Sequence, residues 1–186
     1  DVEDVRAKLT GRTRAIVPIH YAGVPAELDS LAATAEAAGA VLIEDAAHAL
    51  GSTYRGRAVG GDGELAALSF HETKNLTCGE GGMLTTNSDE VFARADSMHN
   101  VGRAPGGGDR WDHLSLGWNV RPTEYQAAIL HHRFARFPAQ QETRASNFGF
   151  LRAALGEVTS LVPLAVHPGV RRHGMYMFVM RYRPDS

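Results

Sequence analysis

Short apolar runs alternate with helically spaced apolar positions in the first third of the chain. Residues 15–19 (AIVPI) form an apolar run that predicts a strand. Residues 25–38 place leucine and alanine three and four positions apart, which predicts a helix closed by Gly39. The bare apolar run of residues 40–43 predicts a second strand, buried on both faces. This strand–helix–strand order indicates a βαβ unit and therefore a parallel sheet.

The pattern changes after Ala49. Residues 52–59 and the glycine-rich residues 60–63 predict a short hairpin followed by a turn. Two further apolar runs, residues 65–70 and 82–86, predict two more strands. An element order rich in strands and crossovers favours an α/β protein with a mostly parallel sheet and flanking helices.

The second half of the chain is mainly helical in pattern. Residues 89–99 predict one helix, and residues 122–137 predict another with Thr123 and Glu124 in its first turn. Pro138 is expected to kink or end that helix, because proline lacks the N–H that a helix interior uses. A second helix is then expected to run to Leu155.

Two other segments of this half carry expectations. Residues 105–108 (PGGG) predict a mobile loop. Residues 177–180 (MFVM) are expected to begin a strand that opens a second, small domain.

Composition excludes several classes of protein. The chain has 186 residues, of which 44% are hydrophobic and 22% charged, so it is long enough for one domain with a real core. A net charge of −2 argues against a basic nucleic-acid surface. The single cysteine, Cys78, excludes an intramolecular disulfide framework and a cysteine-based zinc site. No apolar run approaches the ~20 residues of a membrane span, and we expect a soluble, cytoplasmic protein.

Candidate chemistry lies at the predicted strand ends, where ligands bind in parallel α/β sheets. Asp45 follows the second strand, Ser69 closes the third, and Lys74 comes five residues later. The glycine-rich residues 79–82 follow. Each feature alone is typical of a helix cap, a solvated lysine or a turn. Their joint order is what calls for a functional interpretation.

The joint pattern consists of residues 44–49 (EDAAHA), 69–75 (SFHETKN), 79–82 (GEGG) and 116–128 (LGWNVRPTEYQAA). It resembles the DegT/DnrJ/EryC1/StrS family of pyridoxal 5'-phosphate (PLP) enzymes, which are mainly sugar aminotransferases. The resemblance implies the large domain of the fold-type I aminotransferases, with a mostly parallel sheet and flanking helices. It covers most of the chain.

The resemblance implies two residues that carry the chemistry. Lys74 would bind the aldehyde carbon of PLP covalently and move protons, since a partly desolvated amine can lose its proton. Asp45 would face the pyridine nitrogen and keep it protonated, because a nearby opposite charge favours the charged form. Glu44 points to the other side of the strand by alternation and is interpreted as a helix-facing or solvated acid.

The resemblance also implies residues that position the cofactor. His48 stands where many relatives have glutamine, so it would hydrogen-bond the ring oxygen or stack on the ring; a structural histidine is the alternative. Ser69 would donate its hydroxyl to the phosphate. Asn119 would reach the phosphate across a dimer interface, or be a simple turn residue. His71 has either a packing role or a catalytic one, and residues 79–82 let the backbone pass close to the lysine loop.

The implied function is transfer of an amino group from glutamate or glutamine to a keto-sugar or keto-cyclitol, as in aminosugar antibiotic biosynthesis, by a homodimer with shared active sites. Two alternatives stay open. One is a dehydrating, aromatising relative that forms 3-amino-5-hydroxybenzoate; the other is a non-catalytic regulatory relative. Relatives in which histidine replaces the lysine are dehydratases, and Lys74 argues against that class. No metal, membrane or nucleic-acid partner is indicated.

The resemblance also implies how the chain divides. Residues 1–155 would be part of the PLP-binding large domain, and residues 156–186 would begin the small carboxy-terminal domain. The chain starts at Asp1 rather than Met and stops just after an apolar strand-like run. We therefore expect it to be a piece of a longer protein.

Overall fold

The described residues form α-helices and short strands around one central sheet. The computed structural model describes residues 1–61, 65–106, 109 and 111–184. Within these ranges the helices are α1 (Val2–Lys8), α2 (Leu28–Ala37), α3 (Asp89–His99) and α4 (Glu124–Leu155). The strands are β1 (Ala15–Ile16), β2 (Val41–Asp45), β3 (Thr53–Tyr54), β4 (Arg57–Ala58), β5 (Leu65–Ser69), β6 (Gly82–Thr85), β7 (Leu161–Pro163), β8 (Val170–Arg172) and β9 (Met180–Tyr182).

The central sheet has the strand order β1-β2-β5-β6. β1 pairs with β2 and β2 with β5, both in parallel, whereas β6 runs antiparallel to β5. The crossover from β1 to β2 contains α2, as the βαβ pattern predicts. This arrangement confirms an α/β fold with a mostly parallel sheet and flanking helices.

One face of the sheet is covered by α1 and α2. Leu42 on β2 packs with Ile16, Leu31 and Ala35 in one apolar cluster. By strand alternation Val41, Ile43 and Asp45 share the opposite face. Val41 is 41% exposed, so the expectation that this strand is buried on both faces is wrong. The described residues cover its second face only in part.

The predicted hairpin is present. β3 and β4 pair antiparallel with Thr53 opposite Ala58, and the turn between them uses positive φ angles at Arg55 and Gly56. Two residues of the predicted turn that follows, Asp62 and Gly63, lie outside the described residues. β5 and β6 begin where the sequence predicts and each ends one residue earlier.

The two predicted helices flanking Pro138 form the single helix α4. The prediction that the helix ends there is wrong, although proline removes one backbone hydrogen bond. Phe137 is 7% exposed in an apolar cluster and Gln141 is 1% exposed. Burial on both sides of the proline therefore holds the helix together. At its start, Thr123 caps α4 in a reciprocal pair of hydrogen bonds with Gln126.

The chain after α4 returns to the sheet region. β8 pairs with β3, and β7 pairs with β9. The strand expected to begin at Met177 begins at Met180, because the Met177 N–H donates instead to the carbonyl of Ala22. Division of the chain after residue 155 stays a prediction.

Two sequence expectations concern loops and membranes. Residues 105 and 106 lie in a turn, whereas Gly107 and Gly108 of the predicted glycine loop lie outside the described residues. Within the part of the chain that the structure describes, every helix is too short or too polar to cross a membrane.

Candidate active site

Two of the sequence-predicted residues lie at one edge of the central sheet. Asp45 ends β2 and Ser69 ends β5, and these strands are parallel neighbours in which Asp45 pairs with Ala67. The Asp45 backbone is fixed by bonds to Pro18 and His20. Its carboxylate Oδ1 accepts a hydrogen bond of 3.1 Å from the Ala47 N–H. The parallel sheet therefore holds a half-buried carboxylate and a hydroxyl at the carboxyl ends of two neighbouring strands.

The loop that carries Lys74 is a closed structure rather than a free connection. The Phe70 N–H donates to Gly81 and the Cys78 N–H donates to Phe70, so the two ends of the loop meet. Inside it, the Lys74 N–H donates to the His71 carbonyl at 2.9 Å. Buried Phe70, Leu76 and Cys78 pack on Phe137 of α4. This packing holds the half-buried Lys74 near the sheet edge.

Lys74, Tyr176 and His48 form a layered group. The Lys74 Nζ lies 4.5 Å from the centroid of the Tyr176 ring. On the same ring, His48 stacks with a centroid distance of 4.2 Å and an interplanar angle of 29°. A cation against an aromatic ring is attracted by the negative face of the ring. Tyr176 thus connects two residues that the sequence placed in the site.

The His48 imidazole is disposed to stay neutral. Burial lowers its pKa below the ordinary value, the positive charge of Lys74 lowers it further, and Asp45 acts in the opposite direction. Among the described residues, its Nδ1 is buried without a hydrogen-bond partner. A buried polar atom without a partner costs free energy, so this nitrogen is poised to bind a polar group of a ligand.

A chain of hydrogen bonds leads from Tyr176 along the lysine loop. The Tyr176 hydroxyl lies 3.2 Å from Thr73 Oγ1, which in turn lies 3.0 Å from His71 Nδ1. The hydrogen bond with Thr73 lowers the pKa of the Tyr176 phenol, burial opposes that effect, and the Lys74 charge adds to it. His71, left open between packing and catalysis by the sequence, is thus a polar member of this loop.

The backbone of residues 174–177 is held from three sides. The Gly174 carbonyl accepts from the Asn75 amide at 2.8 Å and from the Gln141 amide at 3.2 Å. Its N–H donates to Gly23. Met175 has a φ of +55°, a conformation that L-residues rarely adopt. Strain of this kind persists only where the surroundings fix the backbone. The fixed backbone of this segment therefore sets the position of Tyr176.

Glu44 lies on the helix-facing side of β2 with Leu42, as one alternative of the sequence expectation has it, and it is not solvated. It is 2% exposed, and its carboxylate lies 2.9 Å from Nε2 of the fully buried His20. The Ala26 N–H donates to His20 Nδ1 at 3.0 Å, so the His20 proton resides on Nε2 and is donated to Glu44. The Gly60 N–H also donates to Glu44. This buried pair ties the end of β2 to the segment after β1.

Asn119 lies apart from the other predicted residues. It is exposed and forms an isolated antiparallel bridge with Asn100. Within this chain it does not contact Lys74, Asp45 or His48 in any interaction that the structure records. Among the described residues there is no group of three or more His, Cys, Asp or Glu side chains arranged to hold a metal ion.

The sequence patterns did not identify two residues in the region of the site, Tyr176 and His20. No motif or periodic spacing in the sequence links Tyr176 to Lys74. The sequence shows only that an aromatic residue follows shortly after His173 and Gly174. His20 directly follows the predicted first strand, and the rule that ligands bind beyond strand ends would have singled it out. The structure places it behind Asp45, in contact with Glu44.

Comparisons with known proteins agree with this geometry. The model of the DegT/DnrJ/EryC1/StrS aminotransferase family matches residues 1–186. A Micromonospora echinospora protein, provisionally named L-glutamine:3-amino-2,3-dideoxy-scyllo-inosose aminotransferase, is 38% identical over 186 residues, which are 100% of this chain and 44% of that protein. The spore coat polysaccharide biosynthesis protein SpsC of Bacillus subtilis is 33% identical over 97% of this chain and 48% of its own length.

Solved structures show the same similarity. The 3-amino-5-hydroxybenzoic acid synthase superposes with a TM-score of 0.91 at 33% identity, covering 99% of this chain and 48% of that one. DesV of S. venezuelae also superposes with a TM-score of 0.91, at 32% identity, covering 100% of this chain and 49% of the DesV chain. The chain therefore spans about half the length of the relatives that it matches.

Proposed function

The chain belongs to the DegT/DnrJ/EryC1/StrS aminotransferase family, and on that premise we propose that it forms part of a PLP-dependent aminotransferase. The enzyme would transfer an amino group from glutamate or glutamine to a keto-sugar or keto-cyclitol. The observation that carries the proposal is the group of Lys74, His48 and Tyr176 beside Asp45 at the ends of parallel strands.

The residues present fit the cofactor. Lys74 provides the amine that an aldehyde carbon requires, and Asp45 provides a carboxylate for a ring nitrogen. The unpartnered Nδ1 of His48 offers a site for a polar group of the ring. Ser69, at the adjacent strand end, provides a hydroxyl for the phosphate. PLP, when bound, supplies an electron-withdrawing ring that accepts the electron pair left when a substrate carbon loses its proton.

The chain's own residues divide the remaining work. The Lys74 amine would take the proton from the substrate carbon and return it, because it is the basic group at this edge of the sheet. Asp45, fixed at its backbone by Pro18 and His20, would keep a ring nitrogen protonated. Because its imidazole is disposed to be neutral, His48 would bind a polar group of the ring without adding a second positive charge next to Lys74.

The substrate class is supported by the relatives. One carries a name that specifies glutamine as donor and an aminated scyllo-inosose as acceptor, and another is a spore coat polysaccharide biosynthesis protein. From the first of these names we extend to this chain a cyclic, hydroxylated ketone as the acceptor. A role in aminosugar antibiotic biosynthesis and a cytoplasmic location are part of the same proposal.

The proposal includes a homodimer with shared active sites. Asn119 is exposed and does not reach the Lys74 group of its own chain, which is what a residue serving a neighbouring subunit would show. Apolar side chains surround it at the surface, among them Leu116 at 81% and Trp118 at 56% exposure. Exposed apolar patches of this kind mark interaction surfaces.

The first test is a visible absorbance spectrum of the complete gene product with PLP, before and after addition of glutamine. We expect the absorbance band of lysine-bound PLP to be lost with glutamine and to return on addition of a keto-cyclitol or keto-sugar. After borohydride reduction, mass spectrometry should find PLP on Lys74. Lys74→Ala should carry no adduct, and Lys8→Ala, which removes the only other lysine of this chain, should keep it.

The outcomes separate the alternatives. An adduct that persists in Lys74→Ala would refute the assignment of the lysine. A band that forms but does not respond to amino donors would favour the aromatising class, to which the 3-amino-5-hydroxybenzoic acid synthase belongs. Complete absence of a band would favour a non-catalytic relative.

A further inference from the structure

Tyr176 contacts two predicted site residues, Lys74 and His48, and the proposal above assigns it no chemical role. Its ring lies 4.5 Å from Lys74 Nζ and 4.2 Å from the His48 ring, as centroid distances. Its hydroxyl hydrogen-bonds Thr73, the residue before Lys74. Three independent contacts therefore hold one aromatic side chain against the lysine.

Hydrogen bonds to the backbone on both sides of Tyr176 determine its position. The preceding Gly174 is bound through its carbonyl by Asn75 and Gln141 and through its N–H by Gly23. On the other side, the Met177 N–H donates to Ala22. Because Asn75 adjoins Lys74, the same loop that carries the lysine also fixes the segment that carries the tyrosine.

We propose that Tyr176 is a positioning residue for Lys74, which holds the Lys74 ammonium on the face of its ring and presents it at the sheet edge beside His48 and Asp45. The inference rests on the proposed function for its biological meaning, but the contact itself is a property of this chain. The Tyr176 hydroxyl interacts with Thr73 and with Lys74, and both hydrogen-bonding interactions lower the pKa of the phenol. The variants below therefore separate the ring, which carries the proposal, from the hydroxyl.

Charge around the amine supports this role. Among the described residues, the ionisable groups near Lys74 include Tyr176 and His48, with Asp45 acting on the same imidazole and His71, Glu72 and Glu80 on the lysine loop. His48 is disposed to be neutral, so it does not repel the ammonium. Among the described residues, the ring of Tyr176 is then in direct contact with the Lys74 Nζ, and this contact favours one position of the amine over free movement.

The test measures the reactivity of Lys74 without cofactor. The complete gene product, prepared free of PLP, is treated with a limiting acetylating reagent at pH 8, and modification of Lys74 and Lys8 is followed by mass spectrometry. An amine held against a ring is less accessible to the reagent than one that moves freely. Lys8 pairs with Asp4 on the exposed surface of α1 and serves as the internal standard.

The matched variants are Tyr176→Phe, which keeps the ring, and Tyr176→Leu, which replaces the ring by an apolar side chain. We expect the Lys74-to-Lys8 rate ratio to be unchanged in Tyr176→Phe and to rise about two- to fivefold in Tyr176→Leu. Tyr176→Met repeats the test with a second non-aromatic side chain if Tyr176→Leu does not fold.

The result that overturns the proposal is an equal rate ratio in the Phe and non-aromatic variants, whether both rise or neither does. Failure of the proposed function is a separate outcome, because it is read from the borohydride adduct and the glutamine response. A protein that binds no PLP could still show the ring effect, and a true aminotransferase could lack it.

Discussion

At the scale of single residues, two half-buried histidines, His48 and His173, should make stability depend on pH. Burial and the Lys74 charge lower the pKa of His48, and burial lowers the pKa of His173. The Nδ1 of His173 accepts the Met175 N–H at 2.8 Å, which also requires an unprotonated nitrogen. Both imidazoles thus take up protons more readily in the unfolded chain.

The sign of the effect follows from linkage. Where the unfolded state binds more protons, stability falls as pH falls. We expect the free energy of unfolding, measured in urea, to decrease as pH is lowered from 7 to 5, and the combined variant His48→Gln and His173→Gln to reduce that slope. Replacing the exposed His131 and His132 by glutamine is the control, and a slope that responds equally to both pairs would contradict the prediction.

Which residues of the site could be predicted depends on how their positions are determined. Asp45 and Ser69 end adjacent parallel strands, so an apolar pattern suffices to bring them together. Tyr176 could not be predicted in this way, because 103 residues separate Thr73 from Tyr176 and their contact depends on the amides of Asn75 and Gln141. Hydrogen bonds between residues so far apart along the chain produce no periodic pattern in the sequence.

At the scale of elements, the segment around Gly174 joins the sheet edge, the lysine loop and α4. A Cβ built on Gly174 would lie 2.5 Å from the Ser52 hydroxyl oxygen and 3.1 Å from the His48 carbonyl oxygen. Both neighbours are constrained, since Ser52 itself donates to Gly23. A methyl group at this position must therefore push the segment away from the site.

We expect Gly174→Ala to lower the free energy of unfolding by about 1–3 kcal/mol, the usual cost of overpacking. The control is Gly149→Ala in α4, where an added Cβ meets nothing within 4 Å and helix propensity favours alanine by up to ~1 kcal/mol. Urea unfolding of both variants tests this. Unchanged stability in Gly174→Ala would mean that the segment can move freely.

The elements also show where sequence patterns are insufficient. The limits of α3 match the prediction because Ser88 caps its first turn through a local hydrogen bond. The continuity of α4 through Pro138 depends instead on the burial of Phe137 and Gln141 against distant parts of the chain. Local signals predict helix starts well, whereas tertiary packing decides whether a proline interrupts a helix.

At the scale of the whole molecule, the chain exposes more surface than a compact protein of its mass, as expected for a chain that spans about half the length of its relatives. Its accessible surface is 11917 Å², whereas a compact protein of 20.1 kDa should expose about 8,700 Å². Exposed apolar residues are frequent between residues 111 and 134, in the segment that leads into α4 and in the first part of α4. The exposed apolar residues of this surface are Trp111, Leu114, Leu116, Trp118, Val120, Tyr125, Ile129 and Phe134.

This surface carries the last prediction, that Leu116 contributes to subunit contact. Leu116 is 81% exposed within the chain, so Leu116→Asp should leave the fold of one subunit intact. Across a dimer interface the same change would bury an unpaired carboxylate, which is costly. We expect sedimentation equilibrium of the complete gene product to show a dimer dissociation constant raised at least about tenfold, an effect of interface hot-spot size.

The control is Phe92→Asp on α3, which places the same charge at a position 62% exposed but outside the surface defined above. Asn119 lies within that surface, so loss of the dimer in Leu116→Asp should also weaken PLP binding, measured by equilibrium dialysis. A monomeric Leu116→Asp variant that keeps full PLP affinity would show that the sites are not shared between subunits. An unaltered dimer would show that the apolar surface serves another purpose.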